Sequence, residues 1–236
     1  MVIEFALLAI GAYLLGSVPA AYLVAKWSRG VDIRQHGTGN VSVGNLWRVV
    51  SKRLAIPVIL FDLGKGAAMV WAAQLLELGI AQQVTIGLAA IIGHNWPVFL
   101  RFNGGRGILT TIGVVFLLMP WGIVVILAGA SLALLVKTSP LPVLGGIIIL
   151  PLVSWGLGEP LAVTLGFVGI FLVTIIRRLT APRSAEAISI SKRQLLVNRL
   201  LFDRDIRDRE AWLYRTPPQT SSTEKAHPRK KKQRKS

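Results

Sequence analysis

Apolar runs decide what this chain can become. They cover about 2–26, 54–76, 80–95, 107–119, 121–136, 141–157 and 160–177, with few charges inside them. A soluble domain of 236 residues would need a charged shell around such runs, yet 53% of the residues are hydrophobic and only 16% are charged. Ordinary soluble domains carry about 25% charge. Lipid is therefore expected to cover much of the surface. Some runs fall short of the roughly 20 residues that cross a hydrocarbon core, but short or broken helices are tolerated where protein encloses them. The breaks fall at Met119-Pro120, at Ser139-Pro140-Leu141-Pro142 and between Gly156 and Pro160. The expected fold is all-α, a polytopic bundle of seven transmembrane helices. A five-span reading that merges the shortest runs is the alternative.

The charge pattern favours seven. With the N-terminus outside, the 26–53 and 93–106 loops, Lys137 and the whole C-terminal region fall in the cytoplasm, as the positive-inside rule requires. The loops left outside carry Glu4, Glu77 and Glu159 and no lysine or arginine. Glu4 replaces the basic n-region of a signal peptide, so the first run is read as a span and not a cleaved leader. Three parts are expected: a membrane domain over 1–182, a basic amphipathic cytoplasmic segment over 183–215, and a disordered basic tail over 216–236.

A net charge of +16 invites a nucleic-acid reading. The basic residues sit in loops between apolar runs, without an aromatic-interleaved groove or zinc-ligand spacing, which argues against one. The absence of cysteine removes thiolate nucleophiles and Cys-ligated metals.

Two loops carry the chemistry. The first runs Arg34-Gln35-His36-Gly37-Thr38-Gly39-Asn40-Val41-Ser42-Val43-Gly44-Asn45-Leu46-Trp47-Arg48. Glycines let backbone N–H groups approach an anion, Thr and Asn add neutral donors, and arginine offers a fork that fits phosphate. An ordinary flexible connector is the plainer reading. The second, Gly93-His94-Asn95-Trp96-Pro97-Val98-Phe99 followed by Asn103-Gly104-Gly105-Arg106-Gly107, sets three glycines around one arginine just before a helix. Its spacing is not that of a Walker A loop. Asp62 and Lys65, one helical turn apart in the second run, are either functional or a self-neutralising i,i+3 pair.

These residues resemble the bacterial acyl-phosphate:glycerol-3-phosphate acyltransferases, the PlsY family. The similarity runs over about 10–180 through Gly16-Ser17-Val18-Pro19, Gly37-Thr38-Gly39-Asn40, Asn45 to Arg48, Asp62-x-x-Lys65-Gly66, Gly93 to Phe99 and Gly104-Gly105-Arg106-Gly107. The resemblance implies a seven-helix bundle in the bacterial inner membrane with a cytoplasmic site. It also implies acyl transfer from acyl-phosphate to the 1-hydroxyl of glycerol 3-phosphate, giving lysophosphatidic acid. Thr38 stands where the family has serine and Arg106 where it has lysine. Thr38, Arg48 and Arg106 are the expected catalytic residues. Gly37, Gly39, Asn40, Asn45, Lys65, His94, Gly104, Gly105, Gly107 and Asn198 are expected to bind substrate. No metal or cofactor is called for, and membrane lipids are the other partners.

The chain departs from that pattern elsewhere as well. Ser42-Val43-Gly44-Asn45 replaces Gly-Ala-Thr-Asn, and Arg177-Arg178-Leu179-Thr180-Ala181-Pro182 lacks the closing histidine and asparagine. Asn198-Arg199-Leu200-Leu201 resembles the end of that motif about twenty residues late. A non-catalytic or altered-substrate paralogue, or a small transporter of a phosphorylated solute, are the competing readings. No His-x4-Asp acyltransferase motif is present. Direct attack by the glycerol hydroxyl is expected, with a substrate phosphate oxygen taking the proton and His94 fixing its loop.

Overall fold

A computed structural model of the chain describes residues 2–135, 140–184 and 187–213. Lys137 and the 216–236 tail, both read from the sequence as cytoplasmic, lie outside the described residues. All regular structure among the described residues is helical. Every apolar run of the sequence is a helix or a pair of helices. The first run is α1 (Val2–Ser17) and α2 (Ala20–Arg29), broken at Val18-Pro19. Short α3 (Val43–Val49) precedes α4 (Lys52–Leu75) and α5 (Ile80–Asn95). Then come α6 (Ile108–Leu118), α7 (Gly122–Leu135), α8 (Pro140–Gly156) and α9 (Leu161–Leu179). Two further helices, α10 (Lys192–Phe202) and α11 (Arg209–Leu213), follow the last span. Among the described residues, four segments are long and apolar enough to cross a membrane alone: 2–29, 52–75, 80–100 and 161–179. The other three apolar helices, α6, α7 and α8, are shorter.

Helices in lipid gain nothing from hiding apolar side chains from water, so close backbone approach carries much of the packing. Small residues provide it. A Cβ on Gly16 would lie 2.2 Å from the Ala90 carbonyl oxygen, and one on Gly93 would lie 2.2 Å from that of Tyr13, so α1 and α5 meet backbone to backbone. Gly66 against Thr110 and Gly113 against Leu63 do the same for α4 and α6, at 2.3 and 2.1 Å. Phe167, Ile170, Leu150, Val114 and Ile91 form the centre of the bundle. Leu60, Trp71, Leu152 and Leu165 point outward, as lipid-facing residues do.

The helix order sends the 30–51 loop, the 96–107 loop, the start of α8 and the end of α9 to one end of the bundle. Glu4, Glu77 and Glu159 belong to the opposite end. Exposed tryptophans mark both levels, Trp27 and Trp47 at the basic end, Trp121 and Trp155 at the other, as in an interfacial aromatic belt.

The first loop is not a loose connector. Ile33, Val41 and Leu46 pack on Ala21 and Ala25 of α2 and on Ala55 and Val58 of α4. Ile33 and Leu46 are wholly buried, each contributing about 1.5–3 kcal/mol of burial energy.

Candidate active site

Asn45 organises the first glycine loop. Its amide nitrogen donates to the carbonyls of Ile33 (3.0 Å), His36 (2.9 Å) and Asn40 (3.2 Å), and its oxygen accepts from the Thr38 backbone N–H at 3.0 Å. Ser42 caps α3, its hydroxyl accepting from the Asn45 N–H at 3.3 Å. Gly37 and Gly39 have φ of 56° and 68°, a region that favours glycine. A Cβ on Gly37 would also lie 2.4 Å from the Asn45 amide oxygen. The loop opens on Asp32, whose carboxylate pairs with Arg34 at 2.7 Å. That hydrogen bond holds the Asp32 carboxyl below its usual pKa, against a smaller effect of burial.

The second loop is held from α9. The buried Arg177 donates from Nε to the Gly105 carbonyl at 2.9 Å and from Nη2 to the Gly104 carbonyl at 2.7 Å. The Gly105 N–H donates to the His94 carbonyl at 3.1 Å. A Cβ on Gly105 would meet His94 Nε2 at 2.2 Å, so the glycine leaves room for the imidazole.

Asp62 and Lys65 form the i,i+3 pair, with 2.9 Å between Lys65 Nζ and Asp62 Oδ1 and both side chains buried. Lys65 does more than neutralise Asp62. Its ammonium donates to the Gly16 carbonyl at 3.0 Å and stands 2.9 Å from His94 Nδ1. An ammonium can only donate, and the Asp62 Oδ1 stands farther from the same nitrogen, at 3.6 Å, so the Lys65 contact is the one that sets the tautomer: Nδ1 accepts and Nε2 carries the proton. His94 is thereby arranged to donate a hydrogen bond through Nε2.

These parts meet in a cavity of about 360 Å³ at the basic end of the bundle. Thr38, Asn40, Arg48, His94, Arg106 and Gly107 line it, as do Asp62 and Ser42. Ile108, Leu109, Pro140 and Val143 give it an apolar side. All three residues read as catalytic, Thr38, Arg48 and Arg106, therefore share one cavity. Gly37, Gly39, Asn45, Lys65, Gly104 and Gly105 stand behind the lining and shape it. Asn198 is buried in α10, donating to the Asp205 carbonyl at 2.8 Å, away from the lining.

The glycerol-3-phosphate acyltransferase family matches this chain over residues 6–184. The chain belongs to that family. Glycerol-3-phosphate acyltransferase 5 of Dehalococcoides mccartyi is similar to it, 43% identical over 221 residues, with 91% of this chain and 95% of the relative covered. A Pseudomonas aeruginosa glycerol-3-phosphate acyltransferase is 40% identical over 153 residues, covering 63% of this chain and 80% of its own. The crystal structure of PlsY, an integral membrane glycerol 3-phosphate acyltransferase in its glycerol 3-phosphate form, matches with a TM-score of 0.69 and 32% identity. That match covers 74% of this chain and 88% of PlsY. The lysophosphatidic acid form of PlsY matches at the same TM-score, with 31% identity, over 83% of this chain and 93% of PlsY. This member of the acyltransferase family is accordingly an integral membrane protein of the PlsY fold.

Against that family, the sequence left the C-terminal segment hardest to read. Where a closing histidine and asparagine were expected, this acyltransferase has two buried arginines. Arg177 holds the second glycine loop, while Arg178 donates to the carbonyls of Leu200 and Pro140 at 2.8 and 2.9 Å, fastening α10 and α8 to α9. Phe202, Asp203, Arg204, Arg209, Trp212 and Leu213 then line the cavity from outside the family match. Only their richness in arginine pointed to them in the sequence, since nothing local states that 202–213 returns to the loops of 38–48 and 106.

Proposed function

We propose that this chain transfers a fatty acyl group from acyl-phosphate to the 1-hydroxyl of glycerol 3-phosphate, at the cytoplasmic face of a bacterial inner membrane. The products are lysophosphatidic acid and inorganic phosphate. The observation that carries the reading is one cavity joining Arg48 and Arg106 to the apolar side of Ile108, Leu109 and Val143. Such a wall suits an acyl chain, and the arginines suit phosphate.

Acyl-phosphate is a mixed anhydride with a good leaving group, so the chemistry asks chiefly for positioning and charge stabilisation. The glycerol hydroxyl oxygen attacks the acyl carbonyl carbon. The bond from that carbon to the bridging phosphate oxygen breaks, and phosphate departs with the bonding pair. A phosphate oxygen of a substrate takes the hydroxyl proton. The Arg48 guanidinium has one hydrogen bond among the described residues, from Nη1 to the Gly44 carbonyl at 3.2 Å, and the rest of its fork is available to an anion. His94, protonated on Nε2 and held by Lys65, serves as a donor and not as the base. The N-terminus lies outside and the described C-terminal helices inside, which puts the arginine-rich loops in the cytoplasm.

Purified protein given acyl-phosphate and labelled glycerol 3-phosphate should place label in the lipid extract as lysophosphatidic acid. Label that stays wholly in the aqueous phase overturns the reading.

A further inference from the structure

Residues 202–213 lie beyond the family match, yet they line the cavity that holds Arg48 and Arg106. Asp203 is their point of entry. It follows α10 with φ of 52°, the left-handed cap conformation that Asp and Asn tolerate, and its N–H donates to the Arg199 carbonyl at 3.1 Å. That turn brings its carboxylate to Arg106, with Oδ1 and Oδ2 lying 2.9 and 3.1 Å from Nε. Arg106 Nη1 donates to the Arg177 carbonyl at 3.2 Å. Two of the three guanidinium nitrogens are thus held, and Nη2 has no hydrogen bond among the described residues.

The wall that carries Asp203 is fixed. Arg199 donates to Asp205 Oδ1 at 2.7 Å and to the Leu179 carbonyl at 2.7 Å, and the Ser184 N–H donates to Asp205 Oδ2 at 2.7 Å. Asp205 is buried. Together with the two bonds of Arg178, these ties attach α10 to the end of α9.

We infer that Asp203 is a positioning residue for the acyl-transfer reaction: it fixes Arg106 through Nε so that Nη2 faces substrate phosphate. An arginine on a flexible stem meets phosphate productively only when its plane is set, and a carboxylate confined to Nε sets the plane without filling the whole fork. Were Asp203 instead a substitute for substrate, it would compete with phosphate for Arg106. The relatives from Dehalococcoides mccartyi match over 91% and 89% of this chain, which reaches past residue 184, so a comparable wall is open to them.

This inference rests on the proposed function, and its test separates the two. Steady-state rates are measured with acyl-phosphate saturating and glycerol 3-phosphate varied, for the full chain and for Asp203→Asn, Asp203→Glu, Arg106→Lys and the pair Arg106→Lys with Asp203→Asn. Asparagine suits the left-handed cap, so the fold is kept; an unchanged melting temperature checks this. The expected result is a kcat at least fivefold lower for Asp203→Asn and substantial recovery in Asp203→Glu. Lysine has no Nε to hold, so adding Asp203→Asn to Arg106→Lys should cost less than twofold more. Unchanged kcat in Asp203→Asn, or a lower KM at unchanged kcat, overturns the positioning role. So does a loss that tracks a fallen melting temperature and recurs equally in the lysine background. A wild-type chain that neither makes lysophosphatidic acid nor is thermally stabilised by glycerol 3-phosphate sinks the proposed function, and this inference with it.

Discussion

Arg177 spans from α9 to the second glycine loop, its Nε and Nη2 bonded to the successive carbonyls of Gly105 and Gly104 at 2.9 and 2.7 Å. The side chain does not line the cavity, so its contribution is to hold Arg106 and Gly107 in place. Charge-assisted bonds of this kind contribute about 1.5–3 kcal/mol each, and removing one partner leaves buried carbonyls unpaired. Arg177→Ala should therefore lower acyl transfer at least tenfold and also lower the melting temperature. Arg177→Lys should recover little of either, because one ammonium cannot reproduce the fork. Assay and thermal unfolding of both variants check this.

The two cavity arginines should behave differently. Arg48→Ala and Arg106→Ala are each expected to cut acyl transfer at least tenfold, about 1.4 kcal/mol or more of transition-state stabilisation. Neither should unfold the protein, since Arg48 is exposed and Arg106 only partly buried. Arg106→Lys should keep much more activity than Arg106→Ala, because it retains a cation. Equal losses in both would show that charge at 106 does not matter.

Topology can be tested directly, since the chain has no cysteine. Single cysteines at Ser51 and Arg101 should react with an impermeant maleimide only after the membrane is opened. Cysteines at Glu77 and Glu159 should react in intact cells. Labelling at position 101 from outside would invert the bundle and remove the cytoplasmic site.

The first loop should loosen in acid. Arg34 holds the Asp32 carboxyl below its usual pKa, so the folded pKa lies under the unfolded one, which is about 3.9. The pair's stabilisation is complete above that unfolded value and is lost as pH falls from it through the folded pKa. Limited proteolysis of the 30–51 loop should accelerate below about pH 4 in wild type. In Asp32→Asn the loop should be cut faster at neutral pH, with less further change in acid.

Truncation tests the wall as a whole. A chain ending after Leu213 keeps every described cavity residue and should stay active. One ending after Pro182 loses Asp203 and the ties to α10, and should lose nearly all activity while its spans still insert. Asn198→Ala should act more mildly, through the lost bond to the Asp205 carbonyl. Full activity after truncation at Pro182 would make the segment a surface anchor only.

The sequence by itself determined the helices and which loops share one end of the bundle. Apolar runs bounded by Pro and Gly must be helical in lipid, because every backbone polar group has to be satisfied within its own segment. Charge then sorts the loops, and the two glycine-rich loops show their chemistry locally, since Gly37, Gly39, Gly105 and their neighbours are adjacent in the chain. What the sequence left open depends on contacts between distant segments. Asn45 reads as a substrate-binding residue, and only the structure shows that it also staples its own loop. Lys65 reads as half of an ion pair and also fixes His94 on the next helix. The pairs Arg177 with Gly104 and Gly105, and Asp203 with Arg106, join residues roughly 70 to 100 positions apart. No local periodicity encodes a pairing over that distance. Only the packing of α9 and α10 on the bundle brings those arginines to the carbonyls and the carboxylate that satisfy them.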